Sequence, residues 1–158
     1  MSDPVSKRLL LVNGPNLNLL GTREPQIYGT ATLADVEELT TRTARELGYE
    51  VTAVQSNHEG VLIDAIHEAR ETCAGVVINA GALTHTSVAL RDALVASELL
   101  VAEVHISNVH RREEFRFHSY VSGVADAIFI GAGVPGYAYA VQHLVSLLAP
   151  ADGDQQLP

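Results

Sequence analysis

A carboxylate and an imidazole, Glu103 and His105, stand two positions apart inside the apolar stretch of residues 101–106. Side chains alternate along a strand, so both face the same side of it. Buried charges are usually paired, and a structural Glu–His pair at a sheet end is one interpretation. Histidine, however, exchanges protons near neutral pH. Because the pair falls at the end of a predicted strand, we favour a general acid or base.

Arg23 and Tyr28 form a second candidate pair, within the polar segment of residues 16–30. A phenol has an ordinary pKa of about 10 and acts as a base only when its anion is stabilised, which a nearby guanidinium can do. The segment is longer than the usual connection between a strand and a helix, which has about 2–6 residues. Long loops in compact domains are often functional. A solvated loop with a surface Tyr and Arg is the competing interpretation.

Three arginines gather in the loop of residues 107–118: Arg111, Arg112 and Arg116. Lys and Arg number 10 in the whole chain against 19 Asp and Glu, for a net charge of −9. A charge run is usually only a solvated face, but three of ten cations in one loop favour carboxylate binding by at least one of them. The acidity argues against nucleic acid as the main partner. It does not exclude a small anion, because binding depends on local charge.

Residues 79–87 (NAGALTHTS) follow another predicted strand. Asn79 and the small residues after it let the backbone approach a ligand closely, and the N-terminus of the next helix favours an anion. His85 is either a cap or a ligand contact. For Thr86 and Ser87 an ordinary capped turn is the better interpretation.

Composition limits the remaining classes of function. The one cysteine, Cys73, excludes an internal disulfide and suits a reducing cytoplasm. No apolar stretch reaches the ~18 residues that a membrane span requires. We expect no metal, because no two histidines lie four apart on a helix. Charged residues make up 18%, below the typical value of about 25%, which hints at surface covered in an oligomer.

Strand and helix patterns alternate along the chain and would position these residues. Continuous apolar runs predict strands at residues 9–12, 50–55, 75–78, 99–105 and 127–130. Helical patterns follow, capped by Thr32 with Asp35, by Asn57, by Thr84 or Thr86, and beginning again at Gly136. Five buried strands alternating with helices indicate an α/β doubly wound parallel sheet of order 2-1-3-4-5, a flavodoxin-like fold. We predict a single domain, 1–149, and a disordered tail, 150–158. Ligands of such sheets bind beyond the carboxyl ends of the strands.

Residues 131–136 (GAGVPG) match the dinucleotide-binding pattern G-x-G-x-x-G. The match falls after the last predicted strand, so no further strand completes the binding unit. We interpret these glycines as tight-turn and close-packing positions.

Six segments together resemble the type II 3-dehydroquinate dehydratase family. They are residues 13–21 (NGPNLNLLG), 23–25 (REP) with 28–29 (YG), 55–57 (QSN) with Glu59, 84–87 (THTS), 103–108 (EVHISN), and 112–116 (REEFR) before Ser119. The resemblance extends over residues 8–148. It implies cofactor-free loss of water from 3-dehydroquinate to give 3-dehydroshikimate, by anti elimination through an enolate, in the shikimate pathway of aromatic amino acid biosynthesis. The alternative is a flavodoxin-like small-ligand-binding or scaffold module without catalysis.

The resemblance also implies roles for individual residues. Tyr28 would be the base, Arg23 would stabilise its phenolate, His105 would be the general acid, and Asn16 with a water would stabilise the enolate. Substrate-binding positions would be Asn79, Gly81, Ala82, His85, Ile106, Ser107 and Arg116, with Arg112 closing a lid, and Glu103 and Pro15 in support. Asp92 would extend into the site of a neighbouring subunit. The family forms trimers grouped into a dodecamer, so we expect a homo-oligomer.

Overall fold

The computed structural model describes residues 6–22, 26 and 29–149. Strands and helices alternate through this part of the chain: β1 (Arg8–Asn13), α1 (Leu33–Glu46), β2 (Glu50–Gln55), α2 (Glu59–Thr72), β3 (Gly75–Asn79), α3 (Val88–Ser97), β4 (Leu100–His105), β5 (Ala127–Ile130) and α4 (Pro135–Leu148). Short 3-10 turns occupy much of the connections after β1, β3 and β4. The strands fall within about a residue of the predicted ranges.

The five strands form one parallel sheet in the order β2-β1-β3-β4-β5, which confirms the predicted doubly wound fold. The register brings the ends of three strands level, with Asn13 opposite both Gln55 and Asn79. His105 ends β4 opposite Ile130 of β5. The polar residues that close these strands therefore share one edge of the sheet.

Both faces of the sheet are covered, which is why its central strands are apolar without alternation. Leu9 and Leu11 of β1 face a core cluster that includes residues of α1 and α4. Leu10 and Val12 face the opposite cluster, which includes residues of α2 and α3. Burial of alternate side chains on both faces fixes the strand register, since a slip by one residue would exchange the two cores.

The structure confirms the predicted cap of one helix and contradicts the predicted starts of two others. Thr32 and Asp35 form the predicted capping box of α1. The prediction that Asn57 caps α2 is wrong, because α2 begins after His58 and has no side-chain cap. The predicted start of the next helix at Thr84 or Thr86 is also wrong. Residues Gly81–His85 form a 3-10 turn, and Ser87 caps α3 by accepting the N–H of Leu90 at 2.9 Å.

The glycine pattern after β5 serves the backbone rather than a phosphate. The amide of Gly131 donates to the carbonyl of His105 at 3.1 Å, and that of Gly133 donates to the carbonyl of Ile106 at 3.0 Å. Both amides are therefore committed to the loop that leaves β4. This agrees with the interpretation of these glycines as tight-turn and close-packing positions.

Two predictions on chain organisation stay predictions. The tail of residues 150–158 lies outside the described residues, and the single domain of residues 1–149 has no independent test. Among the helices that the structure describes, none is long and apolar enough to cross a bilayer.

Candidate active site

A pocket of about 800 Å³, measured out to its open mouth, lies at the carboxyl edge of the sheet. Loops after β1, β3 and β4 form its walls, as expected for a doubly wound sheet. It is lined by eleven of the predicted site residues: Pro15, Asn16, Asn79, Gly81, Ala82, His85, His105, Ile106, Ser107, Arg112 and Arg116. Its apolar lining comes from Leu17, Leu19, Leu20 and Val109, none of which was a predicted site residue.

Glu103 and His105 form the most buried charged contact of the site. Nε2–H of His105 donates to Oε1 of Glu103 at 2.7 Å, and the Glu103 side chain is 1% exposed. The hydroxyl of Ser119 donates to the same oxygen at 2.7 Å, and that of Ser122 donates to Oε2. Burial by itself raises the pKa of Glu103, but the hydrogen bonds from His105, Ser122 and Ser119 outweigh it and lower the pKa. Glu103 is therefore an ionised carboxylate held by three donors.

This contact fixes which nitrogen of His105 can serve the pocket. Since Nε2 carries the proton donated to Glu103, Nδ1 is the remaining nitrogen, and it has no partner among the described residues. A neutral His105 presents an acceptor at Nδ1, whereas a protonated one presents a donor.

His85 stacks on His105 with ring centroids 6.5 Å apart and planes 21° apart. Its Nδ1–H donates to the carbonyl of His118 at 2.7 Å, so the neutral ring carries its proton there and offers Nε2 as an acceptor. Burial lowers the pKa of His85, and the positive charges of His105 and Arg116 lower it further. Two neighbouring imidazoles thus differ in role: one is placed against a carboxylate and the other is held neutral.

A buried chain of hydrogen-bonded side chains orients Asn79. Its Nδ2 donates to the hydroxyl of Tyr137 at 2.8 Å, and that hydroxyl donates to Oδ1 of Asn13 at 2.7 Å. Oδ1 of Asn79 accepts the amide of Gly81 at 3.2 Å. Burial strongly raises the pKa of Tyr137, although the hydrogen bond from Asn79 opposes the rise, so the phenol stays neutral and can act as both donor and acceptor.

The loops after β1 and β3 pack too closely for side chains. A Cβ on Gly14 would lie 2.2 Å from the carbonyl oxygen of Ala80. Gly81 has φ +58°, and a Cβ there would lie 2.9 Å from the carbonyl oxygen of Pro15. Glycine is needed at both positions because a side chain has no room there, and at Gly81 also because the backbone is left-handed. This packing makes one continuous wall from Pro15 to Ala82.

Arginine supplies the positive charge of the pocket. Arg112 and Arg116 line it, whereas Arg111 lines an adjoining cavity between residues 29–31 and the loop after β5. Glu113 accepts from Nε of Arg116 at 2.8 Å and lies 3.9 Å from Nε of Arg112. That exposed contact holds the Arg116 side chain against its own turn, and such a guanidinium suits a carboxylate ligand.

Several predicted residues do not line the pocket. Arg23 and Tyr28 lie outside the described residues. Asp92 is exposed on α3 and does not contribute to the pocket of its own chain. Glu103 lies behind His105 rather than on the surface of the pocket. In the described part of the chain no group of three or more His, Cys, Asp or Glu could hold a metal ion.

Sequence reasoning missed the contacts that support the pocket. The sequence predicts no role for Ser119 and Ser122, which donate to Glu103. Two hydroxyls three positions apart, after an arginine-rich loop, are the signal that could have indicated a polar contact at this edge. Tyr137 is 58 positions from Asn79 in the chain, and nothing local indicates that contact.

Comparisons with known proteins show which family this chain resembles. A family profile described as dehydroquinase class II matches residues 7–145. The "3-dehydroquinate dehydratase 1" of Corynebacterium efficiens is 63% identical over 139 residues, which are 88% of this chain and 92% of that protein. The "Catabolic 3-dehydroquinase 2" of Aspergillus flavus is 61% identical over 140 residues, covering 89% and 93%. The crystal structure of type II dehydroquinase from Propionibacterium acnes superposes with a TM-score of 0.84 at 44% identity, covering 90% and 98%.

Proposed function

The chain belongs to the class II dehydroquinase family, and we propose that it binds 3-dehydroquinate in the pocket between β1, β3 and β4 and eliminates water to give 3-dehydroshikimate. It is a hydro-lyase whose general role is in the shikimate pathway. The observation that carries the assignment of the reaction to this pocket is the 2.7 Å contact between buried Glu103 and His105 at its floor. An acid held by a carboxylate, in a pocket lined by two arginines, suits elimination from an anionic hydroxy-ketone.

His105 is proposed to be the general acid. Its Nδ1 carries the proton that joins the departing hydroxyl, and the two leave together as water. Glu103 keeps Nε2–H engaged throughout, so the ring does not rotate away from the leaving group. Before the next turnover the base must release the proton that it took from the substrate and Nδ1 of His105 must regain one, so a single proton passes between them, directly or by exchange with solvent.

Tyr28 is proposed to be the base that opens the reaction. Its phenolate removes a proton from the carbon next to the ketone, and the electron pair moves to the carbonyl oxygen as an enolate. Arg23 stabilises the phenolate by its charge. Collapse of the enolate expels the hydroxyl that His105 protonates, so one proton and one hydroxide leave the substrate as water.

Asn16 is proposed to stabilise the enolate oxygen through a bound water. Asn16 lines the pocket, at the end of the wall formed by the β1 and β3 loops. A preplaced donor at a developing oxyanion lowers the barrier of the step that creates the charge.

The substrate carboxylate and hydroxyls are proposed to bind to other residues that line the same pocket. Arg116 and the hydroxyl of Ser107 suit the carboxylate, with Ile106 beside them, because a guanidinium and a hydroxyl donate together to two oxygens. Asn79 and His85 suit the hydroxyls, and Gly81 and Ala82 let the ring lie close to the backbone. Arg112 would close over the bound substrate.

A direct assay tests the proposed function. Purified protein is mixed with 3-dehydroquinate, and the ultraviolet absorbance of the conjugated enone product is followed. We expect turnover without added metal or cofactor, and loss of turnover in His105→Gln. Binding of 3-dehydroquinate without any absorbance rise would instead favour a small-ligand-binding or scaffold module of the same fold.

Two further proposals concern the oligomeric assembly of the protein and its location in the cell. We propose a homo-oligomer, a dodecamer of four trimers, in which Asp92 reaches a neighbouring site. Val88 and Val95 are 50% and 56% exposed on the same face of α3 as Asp92, and a face with two exposed valines supports burial against another subunit. The single free thiol, Cys73, supports a cytoplasmic location.

A further inference from the structure

Asn57 contacts the backbone of Asn16 across two loops. The amide N–H of Asn16 donates to Oδ1 of Asn57 at 3.0 Å, although the two residues are 41 positions apart. Asn57 follows β2 and does not line the pocket. It is also not the cap of α2, which begins after His58 with no side-chain cap. Its side-chain oxygen is therefore used on the neighbouring loop rather than on its own helix.

The conformation of Asn16 explains why such a contact matters. Its backbone has φ +69° and ψ −4°, in the left-handed region. Residues with a Cβ rarely adopt this region, and those that do are usually held there by their surroundings. Asn16 lines the pocket, and a different backbone angle would change the direction of its side chain relative to that pocket.

The loop that carries Asn16 is held at Gly14 and Asn16 by contacts from the ends of the two strands that flank β1, and these contacts differ in kind. On the β3 side, the amide of Gly14 donates to the carbonyl of Asn79 at 2.8 Å, and the backbones touch. On the β2 side the contacts come from side chains. Nε2 of Gln55 donates to the carbonyl of Gly14 at 3.2 Å and to Oδ1 of Asn57 at 3.3 Å.

Gln55 thereby orients the side-chain amide of Asn57. Because Gln55 donates a proton to it, the atom of Asn57 that faces both Gln55 and Asn16 must be the oxygen. Asn57 is the only side chain in the described residues that bonds the backbone of Asn16. The direct contact from the β2 side to the backbone of Asn16 consequently depends on one acceptor atom, Oδ1 of Asn57.

We propose that Asn57 is a positioning residue for the elimination: its Oδ1 holds Asn16 in the left-handed conformation that aims the Asn16 carboxamide at the enolate oxygen. This rests on the proposed function, because it assumes that charge develops beside Asn16. Asn57 does not touch the substrate. Its loss acts on the step in which the enolate forms, so kcat falls while KM stays near that of the wild type.

Four variants separate this role from a merely structural one. Asn57→Ala removes the acceptor, whereas Asn57→Asp keeps an oxygen at the same place. Asn16→Gly removes the carboxamide but allows φ +69° without strain. The double variant Asn16→Gly/Asn57→Ala completes the cycle. Glu50→Gln, at the opposite end of β2, is the control for general destabilisation of this edge strand.

Steady-state kinetics on 3-dehydroquinate give the test. We expect kcat of Asn57→Ala to fall roughly 10- to 100-fold, with KM within about twofold of the wild type and with near-wild-type kcat in Asn57→Asp. Asn57→Ala should have no further effect on kcat when Asn16 is already Gly, because the two residues act as a unit.

Two results would overturn the proposal while leaving the proposed function intact. One is a wild-type kcat in Asn57→Ala. The other is a double variant whose kcat falls by the product of the two single effects, which would mean that Asn57 acts independently of Asn16. A wild-type protein that does not turn over 3-dehydroquinate would instead reject the proposed function. Urea midpoints of all variants, compared with Glu50→Gln, identify any that fail to fold.

Discussion

Oε1 of Glu103 lies 2.7 Å from Nε2 of His105, and no other charged side chain in the described residues bonds that carboxylate. Two serine hydroxyls complete its shell. Glu103 thus carries a full charge in a position that is 1% exposed, which is tolerable because each oxygen is hydrogen-bonded. Because both residues lie on β4, the sheet rather than a loop sets the orientation of the His105 ring.

Ser122→Ala should raise the pKa of Glu103 and lower the stability of the folded protein. Removing this donor leaves burial less opposed, so the pKa of Glu103 rises towards or above its ordinary value of 4.5. We expect a loss of roughly 1–3 kcal/mol in the free energy of unfolding at neutral pH. Urea unfolding at a series of pH values measures it.

The pH dependence of that difference has a definite sign. A lowered folded-state pKa stabilises the protein above the ordinary pKa, and this contribution is lost as the pH falls through the folded-state pKa. The stability difference between wild type and Ser122→Ala should therefore be largest above about pH 5 and shrink on acidification. A difference that grows towards low pH would contradict the account. Ser146→Ala, on the exposed end of α4, is the matched serine control.

Tyr137→Phe should destabilise the protein and weaken substrate binding. The phenol bridges Nδ2 of Asn79 and Oδ1 of Asn13, and its loss leaves both buried groups unpaired. We expect a cost of roughly 1–3 kcal/mol in unfolding and a rise in KM, because Asn79 loses the contact that orients its amide. Tyr139→Phe is the control, since Tyr139 is 48% exposed on the same helix. Equal effects of the two substitutions would count against the network.

Tyr28→Phe should remove turnover while leaving substrate affinity largely intact. If Tyr28 is the base, as proposed, the substitution deletes the phenol oxygen that accepts the proton and preserves the ring. Turnover is followed by product absorbance, and affinity by calorimetric titration of the variant with 3-dehydroquinate. Near-normal turnover would show that another group is the base.

His85 should titrate below the ordinary imidazole value of 6.5, because burial and the charges of His105 and Arg116 lower its pKa. NMR titration of the ring resonances measures this directly. Arg116→Gln should raise the pKa of His85, whereas Arg111→Gln, which alters only the adjoining cavity, should leave it unchanged. A pKa of His85 at or above 6.5 would contradict the electrostatic account.

Asp92→Ala should lower activity only if subunits share their sites. Asp92 does not line the pocket of its own chain, so a monomeric enzyme would tolerate the change. We expect light scattering of the wild type to give the mass of a dodecamer, and Asp92→Ala to lower turnover without changing that mass. A monomer mass for the wild type would reject both the assembly and the role of Asp92.

The strand order and the edge that carries the site were predictable because they follow from local patterns. Apolar runs that lack alternation require cover on both faces, and that requirement alone indicates a parallel sheet with helices on each side. Asn79 and His105 end their strands, so their meeting at one edge follows from parallel geometry. The spacing of Glu103 and His105 already placed both on one face.

The partners of those residues were decided only by the tertiary structure. Ser122 reaches Glu103 across 19 positions, Asn57 reaches Asn16 across 41, and Tyr137 reaches Asn13 across 124. No periodicity in the sequence encodes such pairs, because they depend on how each loop and helix packs onto the sheet. The expected cap at Asn57 shows the limit: an asparagine before a helix bonds locally unless a neighbouring loop brings a better-placed donor, and only the folded chain brings the Asn16 amide there.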